Sequence, residues 1–292
     1  TDQCLESLSA LSYENFDIKV IDNGSTDGSA NQLSTDYPEI DMISHSSNRG
    51  FAGGFNPGIQ QALADDAEYV WIVNNDTIYP DSDTLSTLVE TLKSSDDIGI
   101  VSPLIRQYPA TEEIWFQRGF IDDRSYTGGH HSDSYSIPNL RFNTAPVSAY
   151  RDEHLIENDF VPLCCALISR EVIEEVGLLF EDYFLYYEDV DFCRLATQSG
   201  YRIVTDTRTD VYHRVKGSSE GEAIATYYDS RNRIKFARRH GSTGLRFWVF
   251  TWWYMLVYCG YYLLQRDFDL LFALSRGILH GLQGKSGRGP YP

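Results

Sequence analysis

Short apolar runs alternate with segments of helical periodicity over the first hundred residues. The apolar runs are rich in β-branched and aromatic side chains, which is typical of strands. The predicted strands are 17–22, 40–46, 69–75 and 98–103, and the predicted helices between them are 30–37, 55–66 and 82–95. This rhythm predicts an α/β fold with a mainly parallel central sheet and helices on both faces.

A polar cluster follows each of the first three predicted strands. In chain order the clusters contain Asp22, Asn23, Gly24 and Ser25; then Asn48 and Gly50, with Gly54 close behind; then Asn74, Asn75 and Asp76. Sheets of this kind bind ligands beyond the carboxyl ends of their strands, so we expect the clusters to share one ligand-binding edge. The two Gly-rich turns could direct backbone N–H groups at a diphosphate. Each turn by itself is equally typical of a plain connection.

The pattern changes in the second part of the chain. Residues 106–155 are rich in Gly, Ser, Asp, Tyr and His, and they predict strands or loops that cover the active edge. The two histidines within 128–134 are adjacent and lack a ligand partner at helical or hairpin spacing, so a solvated loop is favoured over a metal site. The later segments predict a buried strand at 160–168, a short helix, an aromatic loop, a helix from about Val190, a strand ending at His213 and a helix over 222–240.

Three carboxylates, Glu188, Asp189 and Asp191, lie next to the aromatic loop. Aromatic neighbours remove water from a carboxylate and raise its pKa towards a value that suits a general base. Acidic residues also favour the N-terminus of a helix. The residues alone leave both interpretations open.

Asp76 and His213 each follow a predicted strand. A carboxylate and a neutral imidazole can bind Mg²⁺ or Mn²⁺, with phosphate oxygens and water as the remaining ligands. The alternative is that His213 is an ordinary hydrogen-bonded histidine of the surface or core.

The segment 247–264 has no charged residue over eighteen positions, which is near the lower limit for crossing a bilayer. Its aromatic residues are spread along the whole segment, which favours a helix that contacts the membrane interface. A true span, and a helix packed on its own domain or on a second copy, are the alternatives. The oligomeric state stays open.

Charge and cysteine content narrow the functional class. The formal net charge of −18 repels a nucleic-acid backbone, so a nucleic-acid partner is disfavoured. We hypothesise a halophilic protein, because a high-salt cytoplasm would screen this self-repulsion; an acidic mesophilic protein is the alternative. The five cysteines show no C-x-x-C spacing and are predicted to be reduced.

Several segments together resemble glycosyltransferase family 2, and specifically its rhamnosyltransferase-like members. They cover about residues 3–240 and are, in order, CLESLSALSYENFDIKVIDNGSTDGS, NRGFAGGFNPGI, YVWIVNNDT, FVPLCCALISREVIEEVGLLFEDYFLYYEDVDFCRLATQSGYRI, VYHRVKGSS and YYDSRNRIKFARRH. The resemblance implies a GT-A fold, a nucleotide-diphosphate sugar as donor substrate, and single displacement with inversion at the anomeric carbon. With the aromatic segment, it also implies a glycan acceptor that is lipid-linked, at the cytoplasmic face of the cell membrane.

The resemblance implies roles for individual residues. Asp22 matches the acid that contacts the nucleobase. Asp76 matches the metal-binding acid of the family's D-x-D motif, and Asn74 replaces the first Asp of that motif. Asp189 matches the catalytic base, and His213 matches a histidine that joins the metal in some relatives.

Four further residues receive less direct roles. Glu188 and Asp191 are assigned to hydrogen bonding with the acceptor and to orientation. Arg231 and Asn232 are interpreted either as contacts to the diphosphate or acceptor, or as residues of a helix surface.

Relatives begin with a strand and a turn that cups the nucleobase, whereas the sequence here starts after that strand. We therefore expect a strand to be missing from the interior of the sheet, with exposed edges on its neighbours. The predicted organisation is a GT-A domain over 1–215, with a nucleotide-binding half (1–105) and an acceptor and catalytic half (106–215), followed by a helical extension over 216–292.

Two other functions stay open at this point. A nucleotidyltransferase shares the nucleotide and metal geometry, but it would need a basic triphosphate-binding loop near the N-terminus. A non-catalytic protein that binds a sugar nucleotide, or acts as a scaffold, is the third possibility.

Overall fold

The computed structural model describes residues 1–131, 154–214, 221–241 and 243–290. The helices are α1 (Asp2–Ser9), α2 (Ser29–Asp36), α3 (Gly50–Ala64), α4 (Thr84–Lys93), α5 (Arg170–Val176), α6 (Glu188–Gln198), α7 (Gly221–His240), α8 (Leu245–Gln265) and α9 (Phe268–Leu282). The strands are β1 (Lys19–Asp22), β2 (Asp41–Ser44), β3 (Tyr69–Val73), β4 (Thr77–Ile78), β5 (Ile98–Gln107), β6 (Ile114–Phe116), β7 (Arg118–Asp122), β8 (Thr127–His131), β9 (Leu155–Asn158), β10 (Cys165–Ser169) and β11 (Arg202–His213). The predicted α/β class is confirmed.

The main sheet has the strand order β3-β10-β5-β11-β4, with β6 paired to β5 and β9 paired to β11. Strands β3, β5 and β11 run in the same direction, as the parallel pattern predicts. Strand β10 lies between β3 and β5 and is antiparallel to both. The sheet is therefore mixed, because β10 enters it from a distant part of the chain that a local β-α-β pattern does not describe.

Helices cover both faces of this sheet, as predicted. Val101, Leu167 and Val204 are neighbours on one face and pack in a core cluster with apolar residues of α4. Ile100 and Ile168 point to the opposite face, where α3, α5 and α6 complete the larger core cluster. The alternation along each strand thus fixes which helix each side chain meets.

Strands β1 and β2 form a separate parallel pair. Within the described residues no ladder joins β1 to β3, and a cavity of about 830 Å³ lies between these two strands. The edges of β1 and β3 that face the cavity have no strand partner within the described residues.

Helix α3 begins at Gly50, so the Gly-rich stretch before residue 55 is helical and not a turn as predicted. The reason is a close tertiary contact. Gly50 has φ +76°, and a Cβ there would lie 2.3 Å from the carbonyl oxygen of Phe184. Only glycine fits this approach of α3 to the aromatic loop.

The stretch 128–134 was predicted as a loop, but residues 128–131 belong to β8, which pairs with β7. The remainder of that stretch lies outside the described residues. Residues 128–131 form a strand despite their polar composition because they pair with β7, which lies just before them in the sequence. All five cysteines are free, and Cys4, Cys164, Cys165 and Cys193 are buried.

Helices α7, α8 and α9 pack on the catalytic half of the chain. Phe236 of α7 belongs to the larger core cluster, and Phe247 of α8 and Leu274 of α9 form a further cluster with α7 residues. None of the helices in the described ranges is long and apolar enough to cross a membrane.

Candidate active site

The side chains of Asp76 and His213 meet at one edge of the sheet. Asp76 lies in the turn between β3 and β4, and the pairing of β4 with β11 sets His213 opposite Thr77. His213 Nε2 lies 3.3 Å from Asp76 Oδ1, and the histidine is only 7% exposed. Trp115 packs edge-on against the imidazole at 4.7 Å between ring centroids. Strand pairing therefore brings together two residues that are 137 positions apart in the numbering.

This pair fits a divalent cation of the size of Mg²⁺ or Mn²⁺. Two neighbouring ligands of an octahedral ion bound at ~2.1 Å are about 3 Å apart, which is close to the observed separation. Among the described residues no group of three His, Cys, Asp or Glu side chains could hold a metal ion. The remaining ligands would be water and diphosphate oxygens, as is usual for Mg²⁺.

Glu188 and Asp189 occupy the first turn of α6. Glu188 is only 6% exposed, and its Oε2 has no hydrogen-bond partner among the described residues. Burial, followed by the charge of Asp189, raises the pKa of Glu188 to about 8. Burial also raises the pKa of Asp189 to about 6, against the hydrogen bond that its Oδ1 accepts from the Val190 backbone N–H at 2.8 Å. At neutral pH the favoured state is a neutral Glu188 beside an ionised, half-buried Asp189.

The two carboxylate sites share the rim around Cys164. Burial raises the pKa of the Cys164 thiol, and the charges of Cys165, Asp76 and Asp189 raise it further. The Cys164 carbonyl accepts a hydrogen bond from the Asn74 backbone N–H at 2.8 Å. Asp76 and Asp189 are therefore both close enough for their charges to act on the Cys164 thiol.

The loop before α6 has an unusual backbone. Phe184, Tyr186 and Tyr187 have φ values of 66°, 64° and 77°, a region that residues other than glycine rarely occupy. Backbone strain of this kind persists only where surrounding contacts enforce it. We call residues 183–187 the aromatic loop.

Asn232 and Arg231 of α7 hold the aromatic loop. Asn232 Nδ2 donates to the carbonyl oxygens of residues 183, 185 and 186 at 3.1, 2.7 and 2.9 Å. Arg231 also donates to the Tyr183 carbonyl, and to the Gly287 carbonyl at 2.6 Å. Both side chains are fully buried. Arg231 and Asn232 therefore neither lie on a helix surface nor contact the diphosphate, because their N–H groups donate to carbonyl oxygens of the protein itself.

Asp191 points away from the rim. Its Oδ1 accepts hydrogen bonds from Tyr183 OH at 3.0 Å and from His240 Nε2. The same oxygen forms an ion pair with Arg239 Nε at 3.0 Å. The residue is 1% exposed. Asp191 thus links the start of α6 to the end of α7. It orients these two helices and does not contact the acceptor.

The first two polar clusters are bonded to each other. Asn23 Nδ2 donates to the Gly50 carbonyl at 2.8 Å, and Asn23 Oδ1 accepts from the Arg49 N–H at 2.9 Å. Asn48 Oδ1 accepts from the Gly50 N–H at 2.8 Å. A Cβ on Gly54 would lie 3.0 Å from Asn23 Nδ2. These residues fix the position of the loops, and they use most of their polar atoms in doing so.

Asp22, Asn74, Asn75 and Asp76 line the cavity between β1 and β3, as do Asn23, Ser25 and Gly54. Asp22 Oδ1 accepts from the Ser25 N–H at 2.9 Å, which leaves its second oxygen for a ligand. Gly24 has φ +82° and lies against the backbone of Ser47. The structure thus brings seven of the residues from the three polar clusters together around one cavity, whereas Gly24, Asn48 and Gly50 do not line it.

Asn56 is a positioning residue that no sequence motif identifies. This buried residue of α3 donates to the Leu179 carbonyl and to Glu181 Oε1, both at 2.9 Å, and accepts from the Leu179 N–H at 3.1 Å. It anchors the chain that leads into the aromatic loop. An asparagine in the middle of an apolar, Gly-rich helix is the only signal that the sequence offers for it.

Two solved structures show the fold of this chain. The first is the mannosyltransferase PcManGT from Pyrobaculum calidifontis in complex with GDP-Man and Mn²⁺, with a TM-score of 0.54 and 16% identity over 97% of this chain and 70% of that one. The second is GalNAc-T7 with UDP, GalNAc and Mn²⁺, with a TM-score of 0.58 and 14% identity over 80% of this chain and 44% of that one. Both are GT-A glycosyltransferases, and they define the fold class.

The family follows from the sequence comparison. The model of glycosyl transferase family 2 matches residues 1–177, so the chain belongs to this family and is a glycosyltransferase. The low-salt glycan biosynthesis hexosyltransferase Agl10 of Haloferax volcanii is 25% identical over 92% of this chain and 83% of its own length. The N-acetylglucosaminyl-diphospho-decaprenol L-rhamnosyltransferase of Mycobacterium tuberculosis is 26% identical over 82% of this chain and 80% of its own.

Proposed function

We propose that the protein is an inverting glycosyltransferase that moves a sugar from a nucleotide-diphosphate donor to a glycan acceptor. The observation that carries the proposal is the arrangement at the rim. A metal-compatible pair, Asp76 and His213, occurs together with a carboxylate of raised pKa, Asp189, and the charges of Asp76 and Asp189 both reach the Cys164 thiol. This arrangement offers a cationic site for a leaving diphosphate and a base for an attacking hydroxyl.

Asp189 is the proposed general base. An acceptor hydroxyl must lose its proton as it attacks the anomeric carbon, and a base with a pKa near the working pH does this most efficiently. Glu188, which is more deeply buried and holds its proton, adds no second negative charge beside the attacking oxygen. In its protonated state Glu188 can also donate a hydrogen bond to a hydroxyl group of the acceptor glycan.

Asp76 and His213 would hold Mg²⁺ or Mn²⁺. The ion, when bound, neutralises the charge that develops on the departing nucleoside diphosphate. Asn74 and Asn75 line the same cavity and present neutral amides to the diphosphate. Asp22 lies at the end of β1 and accepts hydrogen bonds from the nucleobase.

The proposed acceptor is a lipid-linked glycan at the cytoplasmic face of the cell membrane. The Mycobacterium relative is named for a sugar acceptor on decaprenyl diphosphate, which supports this class of acceptor. A carrier lipid would bring the acceptor hydroxyl to the rim from one direction and restrict its approach.

The decisive experiment is a transfer assay with a panel of UDP-, GDP- and dTDP-sugars, Mn²⁺ and a short-chain lipid-diphosphate glycan. We expect a product whose mass increases by one sugar and whose anomeric configuration is inverted. Asp189→Asn should abolish transfer and leave the affinity for the donor nearly unchanged. Asp96→Asn, at an exposed position of the same charge, is the matched control.

Three outcomes contradict the proposal. Full transfer by Asp189→Asn would exclude this residue as the base. Donor binding without transfer to any acceptor would favour a scaffold protein. Release of pyrophosphate from a nucleoside triphosphate would favour a nucleotidyltransferase.

A further inference from the structure

The outer surface of α8 and α9 is apolar. Among the large hydrophobic side chains that are exposed in the described residues, all except Tyr186 lie on these two helices. On α8, Val249, Trp252, Leu256 and Leu263 are 59%, 47%, 69% and 53% exposed, and their spacing places them on one side of the helix. On α9, Phe268 and Phe272 are exposed as well. We call these six residues the apolar face.

Helix α8 is apolar on its outer side as well as on its inner side. On the inner side Phe247 and Thr251 are buried, and the rings of Tyr254, Tyr258 and Tyr262 follow each other at 4.4 and 5.9 Å. The outer side carries aliphatic residues and Trp252. A helix that exposes a broad apolar side to solvent usually contacts a partner or a membrane.

Charge distinguishes this end of the protein from the rest. Residues 221–292 contain ten Lys or Arg and four Asp or Glu, whereas residues 1–220 contain fourteen and thirty-eight. Of the ten cations Arg231 and Arg233 are buried, whereas Arg246, Arg266 and Arg276 are exposed on the same two helices or at their junction, where Asp269 is exposed as well. An anionic surface therefore attracts this end and repels the remainder, which would orient the molecule.

The same charges argue against a second copy as the occupant. Two apolar faces packed against each other would bring these cations near their equivalents in the other copy, and like charges oppose such an interface. A bilayer interface, in contrast, suits Trp, Tyr and Arg side chains together. Since no helix of the described residues can cross a membrane, the suitable arrangement is a helix that lies along the surface.

The apolar face is linked to the catalytic rim through α7. The Arg233 guanidinium lies over the rings of Phe247, Phe250 and Tyr254 of α8, at 5.7, 5.5 and 5.0 Å from their centroids. The preceding residue in the chain, Asn232, holds the aromatic loop before Asp189. The helix with the apolar face is thus one helix away from the proposed base.

We infer that the apolar face docks on a bilayer that carries anionic headgroups, with α8 parallel to the membrane plane. This inference rests on the proposed function in one respect, since it names the surface from which a lipid-linked acceptor would approach. The occupant is the lipid surface itself and not a protein.

The test is flotation of the full chain with vesicles of phosphatidylglycerol and phosphatidylcholine (1:1) and with vesicles of phosphatidylcholine alone, at a salt concentration where circular dichroism shows the protein folded. We expect flotation with the anionic vesicles and weaker flotation with the neutral ones. Trp252→Ser combined with Leu256→Ser should lower vesicle affinity by roughly a hundredfold, because two apolar side chains no longer leave water.

Charge reversal provides a matched pair of variants. Arg276→Glu on α9 and Lys93→Glu at the end of α4 change the net charge equally, at exposed helical positions. Arg276→Glu should weaken binding to the anionic vesicles, whereas Lys93→Glu should not. Equal effects would show that only net charge matters, and would contradict a localised docking surface.

The failure of this inference can be told apart from the failure of the proposed function. With a water-soluble acceptor analogue, Trp252→Ser/Leu256→Ser should transfer sugar as the unaltered chain does. If vesicles do not bind the unaltered chain, or if they bind the double variant equally well, the inference is wrong and transfer is unaffected. If the unaltered chain sediments as a dimer and the double variant sediments as a monomer, the apolar face is an interface between copies.

Discussion

Asn232 Nδ2 lies 2.7 Å from the carbonyl oxygen of Leu185 and donates a hydrogen bond to it. The same amide also donates hydrogen bonds to the carbonyl oxygens of residues 183 and 186. One side chain of α7 thus holds three carbonyl groups of a strained loop that leads into Glu188 and Asp189. The position of the proposed base depends on this contact between the C-terminal helices and the catalytic half.

Asn232→Asp tests that dependence. The substitution keeps the shape of the side chain but replaces an N–H donor by a carboxylate oxygen that faces carbonyl oxygens. We expect kcat to fall by about a hundredfold, which corresponds to about 3 kcal/mol, while the dissociation constant of the donor changes little. Steady-state kinetics and calorimetric donor titration measure both. Asn31→Asp on the exposed side of α2 adds the same charge and should leave both constants unchanged; a similar loss there would mean that added charge alone is responsible.

The pH dependence of transfer should follow Asp189. A base acts in its ionised form, and burial raises the pKa of Asp189 to about 6, so kcat/KM should rise through pH 6 and not through pH 4. Measurements of kcat/KM between pH 4.5 and 8 with the same donor and acceptor would show this rise. A flat profile over that range would exclude a base of raised pKa.

Glu188 should also affect the stability of the fold. Its pKa is raised to about 8 in the folded protein, so the folded state binds more protons than the unfolded state between about pH 4.5 and 8, and stability falls as the pH rises through this window. Glu188→Gln removes this titration. We expect the variant to be more stable than the unaltered chain by about 2 kcal/mol at pH 8, and equally stable near pH 4, in urea unfolding. Glu171→Gln, which is exposed on α5, should give no such pH-dependent difference.

Metal affinity should respond to the charge at the end of β3. Asn74→Asp adds a carboxylate two residues from Asp76, so Mn²⁺ should bind more tightly in the presence of the nucleoside diphosphate. Asp76→Asn should remove Mn²⁺ binding. Titration calorimetry with Mn²⁺ measures both variants, and Asp81→Asn in the nearby turn is the control. Unchanged affinity in Asp76→Asn would place the cation elsewhere.

Salt should stabilise the protein if it is halophilic. The acidic part of the chain repels itself, and added salt screens this repulsion. We expect the melting temperature to rise steadily between about 0.1 and 2 M KCl, a range over which the Debye length falls below ~3 Å. A melting temperature that does not depend on salt would support an acidic mesophilic protein instead.

The sequence by itself determined the class of fold and the family. The β-α-β rhythm and the polar clusters after β1 and β3 predict a ligand-binding edge, because strand periodicity and the direction of parallel strands are local properties. Asp22, Asn74, Asn75 and Asp76 lie at that edge as predicted. The order of motifs also indicated the family, which the comparison confirmed.

Only the tertiary structure decided how individual residues are used. Asp191 and Asp189 are two positions apart, but Asp191 pairs with Arg239 and His240, whereas Asp189 Oδ1 accepts from the backbone N–H of Val190. Asn23 and Asn48 are expected to contact the donor, but Asn23 bonds to the Gly50 carbonyl and Asn48 Oδ1 accepts from the Gly50 N–H. Asn232, interpreted as a surface residue or a ligand contact, is buried under the aromatic loop. Burial and hydrogen-bond partners arise from contacts between distant segments, such as the approach of α7 to the loop before α6, and no local pattern of residues determines those contacts.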